Sequence, residues 1–281
     1  MKLFDYDLEE KTLIMGILNV TPNSFSDGGK FNKISSAVKH AEKMCDEGAD
    51  IIDIGGESTR PGSKSISADE EIKRVLPVLE KVVEIVDKPI SIDTYKSDVA
   101  KVCLEKGASM INDITSFRGD KKLVDIIKKY DVHICMMHRK GSPKNMQKNP
   151  YYNDVISEIK DFLKERTDYA IRKGIKKDNI IIDPGIGFGK RTGLGIEDNC
   201  NIIANIKEFK KLGFPVLIGS SRKTFIGNIS GKKPLPPEDR MEGSIAAAVI
   251  SSINGADIIR VHDVKETKRA LNIVECFKKN K

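Results

Sequence analysis

Polar side chains capable of chemistry stand at the ends of eight apolar stretches of this sequence. The first stretch, LIMGIL, stops at Asn19 and leads into a polar, glycine-containing segment, TPNSFSDGG. A buried polar group that stays unpaired costs roughly 1–3 kcal/mol, so an amide that ends an apolar run needs a partner. The later stretches end in the same way, on Glu57, Thr59 and Arg60, then on Asp93, Asn112, His138, Asp183, Ser221, Arg222 and Lys223, and finally on Arg260 and His262.

One part of this set suits a flat, nitrogen-rich ring. Asp93, Asn112 and Asp183 supply two carboxylates and an amide. A carboxylate can accept two N–H groups in a planar fork, and Lys223 can donate to an acceptor on the same ring. Taken singly, Asp93 and Asn112 could equally complete local turns or helix caps. The number of such groups at equivalent positions favours a shared binding site.

The remaining polar groups suit phosphate. Arg60, Arg260 and His262 form a predicted cationic rim, with the amide of Asn19 beside them. Guanidinium groups match phosphate oxygens, and Mg²⁺ takes one or two protein oxygens together with phosphates of the substrate. No set of carboxylates is spaced as a metal cage, so the sequence predicts that Mg²⁺ arrives with its substrate.

Strand and helix patterns alternate eight times along the chain, which predicts the element that positions these groups. Short β-rich apolar runs cover 13–19, 50–55, 89–93, 109–114, 132–138, 179–185, 214–220 and 256–262, and amphipathic segments cover 35–47, 69–86, 97–106, 121–130, 154–173, 198–212, 241–254 and 265–278. Eight right-handed β-α units predict an α/β fold, a (β/α)8 TIM barrel, with its site at the C-terminal ends of the strands. An open, doubly wound sheet is the alternative, but no GxGxxG follows a strand into a helix. Residues 1–281 are predicted to form a single domain.

Composition limits the function classes. No apolar run approaches the roughly 18 residues of a membrane span, and the acidic start MKLFDYDLEEKT lacks the apolar core of a signal peptide. We therefore expect a cytoplasmic protein with no membrane partner. The 5 cysteines are scattered, which is typical of reduced thiols rather than structural zinc. The net charge of +7 is dispersed along helices, so it favours an anionic small molecule over nucleic acid.

Some apparent motifs fail. DPGIGFGKRT resembles a phosphate-binding loop, but Pro184 stands where its first glycine belongs and Arg191 replaces the final Ser or Thr. No serine, histidine and acid are ordered as in a hydrolase, and GSSRK lacks the nucleophile-elbow spacing. His40 and His133 are interpreted as structural, whereas the role of His138 stays open.

Eight segments together resemble a known family. They are MGILNVTPNSFSDGG, DIGGESTRPG, SIDT, MINDI, MMHRKGSP, IIDPGIGFGK, GSSRKTFIG and IIRVHDVKET, and they extend from Met15 to Thr267. In this order they are similar to the bacterial dihydropteroate synthase family of pterin-binding enzymes. The resemblance implies a (β/α)8 barrel that condenses 6-hydroxymethyl-7,8-dihydropterin pyrophosphate with 4-aminobenzoate in folate biosynthesis, and it implies inhibition by sulfonamides, which mimic aminobenzoate.

The resemblance also implies a role for each motif residue. Asp93, Asn112, Asp183 and Lys223 would hold the pterin, Asn19, Arg60, Arg260 and His262 the pyrophosphate, and Phe25, Thr59, Pro61, Phe188 and Ser221 the aminobenzoate. Asn19 would also bind Mg²⁺. Asp93, Asp183, Lys223, Arg260 and His262 would carry catalysis, and a homodimer through the last helices is expected. The segment RTGLGIEDN is slightly long for the family and lies beside the aminobenzoate pocket.

The implied chemistry is a dissociative displacement, in which the pterin ring delocalises a cation while pyrophosphate leaves. Two alternatives share the barrel: a methyltetrahydrofolate-dependent methyltransferase, which has no pyrophosphate to bind, and a pterin-binding paralogue without catalysis. A requirement for pyrophosphate and Mg²⁺ in aminobenzoate binding separates the synthase from both.

Overall fold

Eight parallel strands close into a barrel at the centre of the molecule. The structure is a computed structural model that describes residues 1–21, 30–58, 62–141, 145–193, 197–231 and 233–280. Its strands are β1 (Lys2–Leu3), β2 (Tyr6–Asp7), β3 (Leu13–Asn19), β4 (Ile51–Gly55), β5 (Ile90–Asp93), β6 (Met110–Asp113), β7 (His133–Met137), β8 (Ile180–Asp183), β9 (Leu217–Ile218) and β10 (Ile258–Val261). The sheet order is β8-β7-β6-β5-β4-β3-β10-β9. A bridge between Ile182 and Val216 joins its two ends, which confirms the predicted TIM barrel.

The helices surround this barrel. They are α1 (Lys30–Asp46), α2 (Ala68–Ile85), α3 (Ser97–Glu105), α4 (Leu123–Tyr130), α5 (Val155–Arg172), α6 (Asp198–Ala204), α7 (Ile206–Lys210), α8 (Thr224–Ser230), α9 (Met241–Ile253) and α10 (Val264–Lys279). The single helix predicted over 198–212 is divided at Asn205, and the short α8 was not predicted because its seven residues are too few for a periodic pattern. Within the described ranges, no helix has both the length and the apolar character that crossing a membrane requires.

Alternation along each strand divides the apolar residues between two layers. On β3, Ile14 and Leu18 face the helices, where they join the large core between sheet and helices. Leu13 and Met15 face the barrel axis and belong to a second, smaller cluster. Burial of each such side chain stabilises the fold by about 1.5–3 kcal/mol.

An N-terminal hairpin, which the sequence did not predict, closes one end of the barrel. Strands β1 and β2 pair as an antiparallel hairpin. Leu3 of β1 and Leu8, which follows β2, pack into the axial cluster with Leu13, Met110 and Ile258 at the N-terminal ends of the barrel strands. In the part of the chain that the structure describes, that end of the axis is therefore apolar and filled, so the polar groups face the C-terminal end.

Candidate active site

The guanidinium of Arg260 lies inside the barrel between two carboxylates. Its Nε donates to Oδ2 of Asp53 at 2.7 Å, and its Nη2 donates to Oδ2 of Asp93 at 2.9 Å. Asn112 donates from Nδ2 to the same Asp53 oxygen at 3.2 Å. Strands β4, β5, β6 and β10 thus bring two acids, an amide and an arginine into one polar cluster.

The sequence places Arg260 in a rim apart from the acids, and the structure differs on this point. Arg260 is on the inward face of β10, where buried carboxylates require a nearby cation. A guanidinium has five N–H donors. Those not used by Asp53 and Asp93 can still bind an oxygen of a ligand, so the position does not oppose the predicted contact with pyrophosphate.

Asp53 is a member of this cluster that sequence reasoning missed. It is fully buried, and within the described residues its Oδ1 has no hydrogen-bond partner. It stands inside the apolar run DIIDIG and not at the end, so a search for polar strand ends passes over it. The available signal was its spacing: Ile51, Asp53 and Gly55 alternate on one face of β4, and an acid there must face the barrel interior.

Burial is the largest influence on the pKa values of Asp93 and Asp183. It raises the pKa of Asp93 to about 7, although the Arg260 guanidinium acts in the opposite direction. It also raises the pKa of Asp183 to about 6, against the N–H group of Gly185 and the nearby cations Lys223, Lys190 and Arg260. For Arg260 itself burial acts to lower the pKa, but Asp53 and Asp93 outweigh it and hold the pKa above its ordinary value.

Asp183 ends β8 and begins a turn that only glycine permits. Its Oδ1 accepts a hydrogen bond from the Gly185 N–H at 2.7 Å, and its carbonyl accepts one from the His138 N–H at 2.8 Å. Gly185 has φ +75°, and a Cβ there would lie 1.9 Å from the His138 carbonyl oxygen. The turn from Asp183 to Phe188 is therefore packed tightly against the end of β7.

Lys223 and Phe188 face each other across the next loop. The Nζ of Lys223 lies 4.1 Å from the centroid of the Phe188 ring. This cation-π contact is worth roughly 0.5–2 kcal/mol, depending on desolvation. It brings a predicted pterin-binding residue into contact with a predicted aminobenzoate-binding residue, so the two predicted pockets adjoin.

Ser221 and His262 form a hydrogen-bonded pair at the ends of β9 and β10. The His262 N–H donates to the Ser221 Oγ at 3.2 Å, and that hydroxyl lies 3.0 Å from Nδ1 of the imidazole. Burial lowers the pKa of His262 to about 3, and Arg260 and Arg222 act in the same direction. The sequence predicts a cation here, but the imidazole is neutral near pH 7. With Nδ1 facing the hydroxyl, Nε2–H is left as a donor for a ligand.

Asn19 offers an oxygen at the end of β3. Glycine at position 55 leaves open the space beside it: a Cβ there would lie 3.8 Å from the Asn19 Oδ1 and 3.7 Å from the Asp93 Oδ2. Among the described residues no three His, Cys, Asp or Glu side chains converge as a metal site. A single hard oxygen fits an ion such as Mg²⁺ that keeps waters and takes substrate phosphate as its other ligands.

Four predicted site residues lie outside the described residues: Phe25, Thr59, Arg60 and Pro61. Their roles at the aminobenzoate and pyrophosphate positions stay predictions. The other nine predicted residues lie in the last two residues of a strand or in the loop that follows it, at the C-terminal end of the barrel.

Comparisons with known proteins identify the family of this chain. The sequence profile of the family described as pterin binding enzyme matches residues 15–262. The chain belongs to that family. A dihydropteroate synthase of Clostridium beijerinckii is 47% identical over 272 residues, which cover 96% of both chains.

Two solved structures are similar to this pterin-binding protein over nearly its full length. The Yersinia pestis dihydropteroate synthase with a sulfonamide drug complex has a TM-score of 0.90 and 42% identity, covering 98% of this chain and 96% of that one. The Xanthomonas albilineans dihydropteroate synthase with 4-aminobenzoic acid has a TM-score of 0.89 and 41% identity, covering 96% and 94%.

Proposed function

We propose that this protein is a dihydropteroate synthase. It condenses 6-hydroxymethyl-7,8-dihydropterin pyrophosphate with 4-aminobenzoate and releases dihydropteroate and pyrophosphate, a step of folate biosynthesis. The observation that carries the proposal is the polar cluster of Asp53, Asp93, Asn112 and Arg260 in the barrel, with Asp183 and Lys223 nearby. The names and bound ligands of the relatives support it.

The pterin ring occupies the interior of the barrel. Asp183 accepts two ring N–H groups, and Asp93 and Asn112 bind the opposite part of the ring. Lys223 donates to a ring acceptor. Pyrophosphate then lies toward the open end of the barrel. Its oxygens accept hydrogen bonds from the remaining N–H groups of Arg260 and from Nε2–H of His262, and Arg60 is predicted to donate there as well.

The reaction is a dissociative displacement at the pterin methylene carbon. The C–O bond breaks and its electron pair leaves with pyrophosphate, so positive charge spreads into the ring. Asp93 and Asp183 stabilise that charge, and Arg260 with His262 stabilises the leaving oxygens. The aminobenzoate nitrogen then donates its lone pair to the methylene carbon and loses a proton. When bound at Asn19, Mg²⁺ supplies further neutralisation of the pyrophosphate charge.

Mixing the purified protein with both substrates tests the function directly. We expect dihydropteroate and pyrophosphate in equal amounts, detected by chromatography. Aminobenzoate binding should require pyrophosphate and Mg²⁺ in the presence of a pterin. If aminobenzoate binding is independent of pyrophosphate and no dihydropteroate forms, the synthase activity is excluded and a pterin-binding protein without this activity is favoured.

The affinity for a phosphate-free pterin should fall as the pH falls below about 6. Burial raises the pKa of Asp183 to about 6, so this acid gains a proton over that range, and a protonated carboxyl cannot accept two N–H groups as the ionised fork does. Calorimetric titration between pH 5 and 8 checks this. The Asp183→Asn variant should lose the step near pH 6 and keep only the dependence that Asp93, whose pKa is about 7, contributes. A constant affinity in the unmodified protein would contradict the assignment.

Asn19→Ala should raise the Mg²⁺ concentration needed for half-maximal pyrophosphate binding by about tenfold or more. Loss of one oxygen contact to a charged group costs about 1.5–3 kcal/mol, and 1.4 kcal/mol corresponds to a factor of ten. Binding is measured at several Mg²⁺ concentrations in the presence of pterin. Affinity for the phosphate-free pterin is the control and should not change; an unaltered Mg²⁺ requirement would remove Asn19 from the metal site.

The proposed homodimer forms through α9 and α10, which pack against each other. Their outer faces expose Ile250, Ile253, Ile273 and Phe277, the last at 71% of its surface. Exposed apolar groups on two neighbouring helices favour an interaction surface.

We also propose that the protein is cytoplasmic.

Phe277→Arg should convert the dimer to a monomer in sedimentation experiments, because a charged side chain would have to be desolvated in the interface. Ile171→Arg is the matched control, since Ile171 is 40% exposed but lies on α5. The control should sediment as a dimer. If Phe277→Arg also does, the interface lies elsewhere.

A further inference from the structure

Lys190 is a buried lysine with no part in the mechanism above. Its side chain is 1% exposed. Its Nζ donates to the carbonyl oxygens of Gly185 at 2.8 Å and Phe188 at 3.1 Å, and it lies 3.1 Å from Nδ1 of His138. An ammonium group has three donors, and here it meets three acceptors.

These bonds hold the turn that carries much of the site. The turn starts at Asp183, whose carboxylate accepts the Gly185 N–H, and reaches Phe188, whose ring contacts Lys223. Gly185, Gly187 and Gly189 all have positive φ, and glycine supplies little conformational restraint of its own. Side-chain bonds must therefore hold the backbone in place, and Lys190 bonds the carbonyls at both ends of the tight Gly185–Phe188 segment.

His138 is suited to the role of acceptor. Burial lowers its pKa to about 2, with Lys190, Lys140 and Arg118 acting in the same direction. The ring is neutral, so Nδ1 can receive the Lys190 ammonium while Nε2 carries the hydrogen. Burial also acts on Lys190 and lowers its pKa to about 7, against the carboxylates of Asp183 and Asp198. Three acceptors around the ammonium favour its charged form.

We propose that Lys190 and His138 are a positioning pair, which fixes the turn after β8 and thereby aligns the Asp183 carboxylate and the Phe188 and Lys223 side chains with the substrates. The proposal rests on the proposed synthase function for its kinetic consequences. Neither residue touches a substrate. They act through the backbone of the turn, and the lysine of the discarded phosphate-loop motif acquires a different role: it binds the carbonyls of its own loop.

Variants at both positions test the pair. Lys190→Met keeps the length of the side chain but removes the ammonium. We expect the dissociation constant for a phosphate-free pterin and the KM of both substrates to rise tenfold or more. Lys140→Met is the matched control, because Lys140 is a neighbouring cation that bonds Tyr151 and Glu158 rather than the turn; its pterin affinity should equal that of the unmodified protein.

Two variants of His138 separate positioning from simple support of the fold. His138→Asn places an amide oxygen near the position of Nδ1 and should retain pterin affinity. His138→Leu has no acceptor, so its pterin affinity should fall, as that of Lys190→Met does. In the double variant Lys190→Met/His138→Leu, the loss of pterin-binding free energy should be smaller than the sum of the losses in the two single variants, because both substitutions remove the same contact.

The outcomes decide the proposal even where a variant folds poorly. Wild-type pterin affinity in Lys190→Met with only a lower Tm, or equal affinities of His138→Asn and His138→Leu, would overturn it. The pterin measurement does not depend on turnover. If the unmodified protein makes no dihydropteroate, the synthase assignment fails while the test of the pair stands.

Discussion

Replacing Asp183 with Asn should reduce pterin affinity roughly 100-fold or more and abolish dihydropteroate formation. Two hydrogen bonds from ring N–H groups to an ionised carboxylate contribute about 1.5–3 kcal/mol each. The amide of Asn offers one acceptor and turns two donors toward the donors of the ring. Binding is measured by calorimetry and turnover by chromatography of the product.

Asp113→Asn is the matched control for this experiment. Asp113 is also a buried acid at a strand end, but its oxygens accept bonds from Thr115 and Phe117 at 2.6–2.7 Å. It neighbours Asn112 on β6 and so faces away from the barrel axis. The control should lose stability and keep pterin affinity within a few-fold. Near-normal turnover in Asp183→Asn would refute the assignment of this carboxylate.

Arg260→Met should have the largest effect on stability. It leaves Asp53 and Asp93 buried without their guanidinium, and removal of one partner of a buried ion pair costs about 3–5 kcal/mol. The sign of the pH dependence follows from the raised pKa of Asp93, which is already about 7 because of burial. Without Arg260 the pKa of Asp93 rises further. The loss of free energy of unfolding is therefore greatest above pH 7, where ionisation of the buried carboxyl is costly, and it becomes smaller toward pH 5.

Urea unfolding of Arg260→Met at pH 8 and pH 5 measures this loss. Adding Asp53→Asn to the variant removes one of the unpaired charges and should restore part of the free energy of unfolding without restoring turnover. That combination separates the electrostatic cost from the catalytic role. An equal free energy of unfolding in variant and unmodified protein at pH 8 would contradict the buried ion pair.

Local patterns were sufficient for most of the fold. Strand β3 matches the predicted run at 13–19 residue for residue, because an apolar, β-rich segment with a polar end leaves little choice of conformation. The helix predicted over 198–212 was wrong in one respect, since it is interrupted at Asn205. The hairpin of β1 and β2 has no periodic signal, and its packing becomes visible only in the folded chain, where Leu3 and Leu8 are buried in the axial cluster.

The candidate site could also be predicted only in part. Polar residues at strand ends identified Asp93, Asn112 and Asp183. Asp53 was missed because it lies within a strand, and Lys190 was missed because the phosphate-loop motif that contains it was rejected. Such residues become visible only through their partners. Arg260 and Asp53 are 207 positions apart in the chain, and no local pattern links them.

The amino-acid sequence by itself determined the barrel and the chemical groups at its C-terminal end, because hydrophobic periodicity acts over a few residues. Only the tertiary structure decided how those groups pair and which of them carry charge. Closure of the barrel brings Arg260 into ion pairs with Asp53 of β4 and Asp93 of β5. Burial leaves His262 neutral and raises the pKa of Asp183 to about 6. These properties depend on desolvation and on contacts between distant strands, which exist only after the chain has folded.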